Sequence, residues 1–223
     1  MSDPAEGPIY HPRRDDHGKR IRIKRPTKPS GPETWTDSTA VAVFAPESPV
    51  PPMLNDVPVG PIVPPTSVEG WTKLVKVWSK LPPPKTSGDL AAGAVIIEPD
   101  GRVWLSQPTN GFGGYEHQTF PKGTKEAGYS LESTAAKEVF EETGLLIEIG
   151  AFVADRHGDK GVTRFFLGRR IGGTPSAMCW ETQGVWLVPL TKVRGHATSY
   201  KDAPVVRAVL SDSSSPSFPV GRS

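Results

Sequence analysis

Proline sets the first limit on what this chain can fold into. Seventeen of its 25 prolines fall in the first 88 residues, leaving eight for the remaining 135. Each proline removes a backbone donor and fixes φ, so helix interiors and central strands exclude it. Long regular elements are therefore expected only in the second part. Pro49 to Pro65 forbid regular structure over most of that stretch, and Pro82-Pro83-Pro84 followed by Thr-Ser-Gly marks a boundary near residue 88. The chain divides into a basic tail (1–34) expected to be disordered, a proline-rich extension (35–88), a folded domain (89–210) and a flexible C-terminal tail (211–223).

The tail is distinctive for charge. Lys19, Arg20, Arg22, Lys24, Arg25 and Lys28 place six cations in ten residues with no acid among them. A solvated arm is the simpler reading, because Tyr10 is the only ring before Trp35; a nucleic-acid-binding arm over residues 19–28 is the sharper one. The net charge of the whole chain is only +2, which gives no general polyanion affinity. One cysteine, Cys179, excludes an internal disulfide and fits a reducing compartment. Neither a signal-peptide core nor a run of about 18 apolar residues occurs, so a cytoplasmic, non-membrane location is expected.

Within the extension, Thr39 to Ala45 has the β-branched and aromatic content of a short strand. Trp71, Leu74, Val75, Trp78 and Leu81 recur at helical spacing and predict a short amphipathic helix over 71–81, docked on the following domain. Beyond residue 88, Ala91–Glu98 and Arg102–Ser106 flank a Pro-Asp-Gly turn and read as a hairpin. Gln107 to His117 is a glycine-containing loop. Leu145–Val153, Val162–Ile171 and Val185–Leu190 are further strands, and Asp202–Leu210 is a closing helix with Asp202 as its cap. Mixed strands and helices argue for an α+β sandwich.

The chemistry lies in Phe120 to Leu145. Ser130 is a good N-cap and Gly144 a good terminator, so a helix joins them. On its wheel Ala135, Ala136, Val139, Phe140 and Thr143 share one arc, while Glu138, Glu141 and Glu142 share the other. Like charges at this spacing repel by a few tenths of a kcal/mol per pair, about 0.2–0.5. A hard divalent cation removes that repulsion, and carboxylate oxygens are the ligands Mg²⁺ prefers. A Pro-Lys-Gly turn leads into the helix, where backbone can approach a phosphate or metal closely.

This stretch resembles the Nudix box, Gly-x5-Glu-x7-Arg-Glu-U-x-Glu-Glu-x-Gly-U, with U a bulky aliphatic residue. Gly123, Glu138, Val139, Glu141, Glu142, Gly144 and Leu145 match, seven of nine fixed positions over 23 residues. Tyr129 replaces the first Glu and Lys137 the Arg. The resemblance covers roughly residues 89 to 210 and implies an α-β-α sandwich with a mixed sheet. It also implies a hydrolase that cleaves a diphosphate linkage in a nucleoside diphosphate derivative or related polyphosphate by water attack at phosphorus. By position, Glu138, Glu141 and Glu142 would be catalytic and would bind Mg²⁺ or Mn²⁺, with the Lys122 side chain meeting a substrate phosphate. The two departures fall on one structural pair, and Lys137 is within reach of Glu141 one turn on. A catalytically weak nucleotide-sensing module is the alternative that these departures raise.

Five further residues are candidates for the substrate site. Glu181, just before the Val185 strand, is the first choice for an additional carboxylate and Asp159 the second. Arg164 shares a strand face with Arg170, and both could contact phosphates. Trp180 is placed to stack on a base, Trp186 reads as core and Cys179 as a buried small hydrophobe. The expected partner is a small nucleotide or polyphosphate, with a homodimer left open.

Overall fold

The computed structural model describes residues 8–26, 28–46, 48–110 and 117–211. The predicted loop around Gly111 to Gly114 and nearly all of the C-terminal tail lie outside these residues. Among the described residues eleven strands run in order: β1 (Tyr10–Arg14), β2 (Arg20–Arg22), β3 (Ala42–Phe44), β4 (Met53–Leu54), β5 (Val57–Pro58), β6 (Asp89–Ile97), β7 (Arg102–Pro108), β8 (Lys122–Thr124), β9 (Leu145–His157), β10 (Gly161–Gly173) and β11 (Thr182–Pro189). The helices are α1 (Pro32–Thr36), α2 (Val68–Thr72), α3 (Leu131–Thr143) and α4 (Ala203–Ser211).

Seven strands form one mixed sheet in the order β3-β11-β7-β6-β10-β9, with β8 paired to β6. Strand β6 is parallel to β10 and antiparallel to both β7 and β8. Only Ile96 and Ile97 pair with β7, whereas Ala91 to Gly93 pair with β8. The divergence of β6 from β7 thus admits the Lys122–Thr124 segment next to α3. Ala94, Ile96, Trp104, Phe166 and Leu187 pack toward Ala135, Ala136 and Val139 of α3 on one face. Val95, Leu105, Phe165, Trp186 and Val188 pack toward Val205, Val206 and Val209 of α4 on the other. Strand alternation directs successive residues to opposite faces and fills both layers of the α-β-α sandwich.

The proline-rich extension is part of this domain rather than an appendage. Its β3 is the outermost strand of the main sheet, paired to Val185–Leu187. Trp35 and Trp71 are 1% and 4% exposed, and Trp35 meets Trp104 at 6.0 Å between ring centroids. Buried Arg102 ties α1 down by donating to the Thr34 and Trp35 carbonyls at 3.0 and 2.6 Å. The strand predicted within 39–45 is present. The helix predicted over 71–81 is not: α2 spans only Val68–Thr72, and the chain then pairs with β9. Lys76 N–H donates to the Ile149 carbonyl at 2.9 Å and Ile149 N–H to that of Leu74 at 2.8 Å. Those sheet bonds take the donors a longer helix would need, and Trp78 and Leu81 are left half-exposed.

The basic tail, expected to be disordered, carries the β1–β2 hairpin. His11 and Ile23 are buried on it. A one-dimensional reading misses this because hydrogen bonds that hold it are made with residues about 160 positions away. Helix α4 forms as predicted, but Asp202 is not simply its cap. Its buried carboxylate accepts from Thr119 Oγ1 at 3.0 Å and Arg156 Nη1 at 2.6 Å.

Candidate active site

Helix α3 begins where the sequence placed it. The Ser130 hydroxyl accepts from Ser133 N–H, and the Ser133 side chain answers the Ser130 N–H, a reciprocal cap. Gly144 ends it in the left-handed region at φ 71°, close against the Thr174 carbonyl where a Cβ would collide. Between these ends, Glu138 and Glu142 project toward the Lys122–Gly123 segment of β8.

Glu142 Oε2 accepts from Ser106 Oγ at 2.9 Å and from Lys122 N–H at 3.4 Å. Burial raises its carboxyl well above the usual range, against the opposing influence of Lys122 and Ser106. Glu138 lies against Gly123 so closely that a Cβ there would overlap its carboxylate. Burial and then the charges of Glu141 and Glu142 push Glu138 up to about 8, partly offset by Lys137. Glu141 is the outermost of the three, with its side chain 43% exposed and 2.7 Å from Lys137 Nζ.

Lys137 also reaches Glu126 Oε1, at 2.9 Å. Burial would lower its ammonium, but the two carboxylates more than reverse that and raise it. Glu126 thus supplies the acid partner that Tyr129 cannot, displaced by three residues, while Tyr129 packs against the core. Sequence reasoning missed Glu126 because it asked what stood at position 129. The acid nearby in the same loop was the available signal.

The other candidates separate. Glu181 is exposed, and its charge adds a small upward push on the Glu142 carboxyl, behind burial and the opposing influence of Lys122 and Ser106. Asp159 is exposed and paired with Lys201 at 2.6 Å, which lowers it. Arg164 is a correction. It is 4% exposed and grips Asp155 with both Nε and Nη2 at 2.8 Å, while Nη1 donates to the Pro82 carbonyl at 2.9 Å. These contacts fasten the extension to β10. Arg170 is likewise buried, 2.6 Å from Glu98. Burial pushes the half-buried Cys179 thiol up to about 12, which removes it as a nucleophile. Trp186 is core, as expected.

Among the described residues no group of three or more acidic, histidine or cysteine side chains is arranged to hold a metal ion. An open set is what Mg²⁺ uses, since it takes one or two carboxylates and completes its shell with waters and substrate phosphates. Glu138 and Glu142, both disfavoured as lone anions by burial and by neighbouring carboxylates, fit such a cation. In metal-free protein the raised Glu138 binds its proton more tightly when folded than when unfolded. Stability from this group is therefore full at about pH 4 and lost as pH rises through about 8. A cation must displace that proton, so the rise in melting temperature on adding Mg²⁺ should be larger at about pH 8.5 than at about pH 6. Equal shifts at both pH values would remove Glu138 from the ligand set.

A family model described as NUDIX domain matches residues 89–208, more than half of the chain. The chain belongs to the Nudix family. A curated relative, the RNA pyrophosphohydrolase of Caulobacter vibrioides, is 43% identical over 53 residues, 24% of this chain and 30% of that protein. The match thus spans under a third of the curated relative's length. Among solved structures, an ADP-ribose pyrophosphatase from Streptococcus suis has a TM-score of 0.48 at 22% identity, covering 59% of this chain and 96% of that one. A Nudix hydrolase from Nitrosomonas europaea has 0.48 at 16%, covering 60% and 94%. A C. elegans Ap4A hydrolase complex has 0.46 at 18%, covering 56% and 98%. The Nudix match stops short of residues 1–88, which nonetheless complete the sheet. Within the Nudix box, the Gly123–Glu138 approach gives a direct test. Gly123→Ala should displace the Glu138 carboxylate by about 1 Å and lower kcat by about 100-fold, with little change in secondary structure. A parent-like kcat would show that Glu138 need not sit against β8.

Proposed function

We propose that this protein is a metal-dependent pyrophosphohydrolase that cleaves a diphosphate linkage in a nucleoside diphosphate derivative or related polyphosphate. The observation that carries this reading is the approach of the half-buried Glu138 and Glu142 to the Lys122–Gly123 backbone. Glu138 and Glu142 would hold Mg²⁺ or Mn²⁺, with Glu141 at the solvent side. When bound, the cation polarises phosphoryl oxygens and acidifies water. The Lys122 ammonium meets a substrate phosphate as a point charge. A carboxylate of the cluster orients the attacking water and takes its proton. The new P–O bond forms as the anhydride P–O bond breaks, and the leaving phosphate carries away the electron pair.

Ser106 is a positioning residue in this scheme, because its hydroxyl fixes one oxygen of Glu142. The Glu126–Lys137–Glu141 chain counts against a sensing module, since the loop and helix retain an ionic tie despite Tyr129. The test is turnover of a panel containing ADP-ribose, diadenosine tetraphosphate, nucleoside triphosphates and 5′-triphosphorylated RNA, with Mg²⁺, with Mn²⁺ and with chelator. Phosphate or nucleotide release that disappears with chelator is expected for at least one substrate. Ligand binding without turnover under every condition would overturn the proposal.

A further inference from the structure

The hairpin that replaces the expected disordered tail is attached at the candidate site. Cys179 N–H donates to the Glu141 carbonyl of α3 at 2.7 Å, which fixes the start of the Cys179–Gln183 segment beside the acidic helix. Glu181 lies within that segment. Trp180 Nε1 donates to Asp16 at 3.2 Å, Gln183 Nε2 to the Arg22 carbonyl at 3.1 Å, and Lys24 N–H to Gln183 Oε1 at 2.6 Å. Five residues extend at most about 17 Å, so the hairpin and the carboxylates are near neighbours.

Pairing decides what the hairpin presents. Tyr10 stands opposite Arg22 and Arg14 opposite Arg20, so these four side chains share one face, while His11 is turned inward and buried. Arg14, Arg20 and Arg22 are exposed, and the Arg20 guanidinium lies 4.0 Å from the Tyr10 ring centroid. The aromatic residue that seems isolated in the sequence is thereby set among three arginines. Guanidinium and phenol planes on which bases stack, joined to cations that track phosphates, are the surface that single-stranded nucleic acid requires.

We propose that the Tyr10–Arg14–Arg20–Arg22 face binds the first nucleotides of a single-stranded RNA whose 5′-polyphosphate enters the carboxylate site. This rests on the hydrolase reading above. RNA is the polynucleotide to expect, because a chain begun without a primer keeps the triphosphate of its first nucleotide. The preceding reaction is then template-directed initiation, and the product is a 5′-monophosphorylated strand.

The experiment uses the full chain, with Arg14, Arg20 and Arg22 changed together to Ser and, separately, Tyr10→Leu. An RNA of about 12 nucleotides with a 5′-triphosphate is compared with ATP and diadenosine tetraphosphate. The triple variant should raise KM for the RNA at least about tenfold, leave KM for the two small substrates unchanged, and reduce the salt slope of RNA binding by about 2. Tyr10→Leu should weaken RNA binding with little change in that slope. An RNA KM equal to the parent's, or an equal rise for all three substrates, would overturn the proposal. Affinity is also read by anisotropy on Glu142→Gln protein. If that protein binds the RNA through the three arginines while the parent hydrolyses no substrate, the binding face stands and the hydrolase reading falls.

Discussion

Glu142→Gln should lower metal-dependent hydrolysis by about a thousandfold and, in the same protein, raise the melting temperature. The two effects have one origin. Burial raises the Glu142 carboxyl, so the folded state resists ionising it, and at neutral pH the native protein bears that cost. Glutamine keeps the shape and can still accept from Ser106 Oγ, which is 2.9 Å away. It removes the charge a cation needs and the group able to hold a proton in the transition state, a loss in the range of 10²–10⁴. Phosphate release against a matched thermal melt without metal checks both halves. Activity within tenfold of the parent would remove Glu142 from the site. A lower melting temperature would mean that its charge is held favourably by Lys122 and that burial is the lesser influence.

Arg170→Ala should be the most destabilising single change predicted here, by about 3–5 kcal/mol, with no direct contact to the carboxylate site. Arg170 and Glu98 side chains are 1% and 2% exposed and 2.6 Å apart. Glu98 also accepts from Trp104 Nε1 at 2.7 Å and Asn55 Nδ2 at 2.9 Å, and Arg170 Nη2 donates to the Leu54 carbonyl at 2.7 Å. Removing the guanidinium strands a buried carboxylate and frees the β4–β5 turn from the sheet. Adding Glu98→Gln to Arg170→Met should recover part of the loss, because no unpaired charge remains. Chemical denaturation measures both, and a single-variant loss under about 1 kcal/mol would show that the pair is solvated in solution.

What could be read in the sequence was local. Ser130 and Gly144 set the ends of α3, and the spacing of Glu138, Glu141 and Glu142 set its acidic face, because capping and helical period act over a few residues. Strands β6, β7, β9, β10 and β11 were equally legible from their apolar runs. Arg164 was misread because a strand charge has the same spacing whether it faces a phosphate or Asp155. The hairpin at Tyr10 and the early end of α2 at Thr72 depend on partners in residues 179–183 and at Ile149, which no local pattern contains. Glu126 was obscured for a different reason: an ion pair can be kept while one of its members changes position.

Residues 42–44 and 74–77 lie at opposite ends of the same sheet, one beside β11 and the other beside β9. Each supplies hydrogen bonds to a strand that would otherwise end the sheet with a row of unpaired amides. A shortened chain beginning at residue 89 would keep the whole acidic helix and yet expose both rims. Such rims recruit other strands. Residues 42–44 and 74–77 thus cover both rims, and fragments cut at the limits of the family match should pair with one another rather than remain as single molecules.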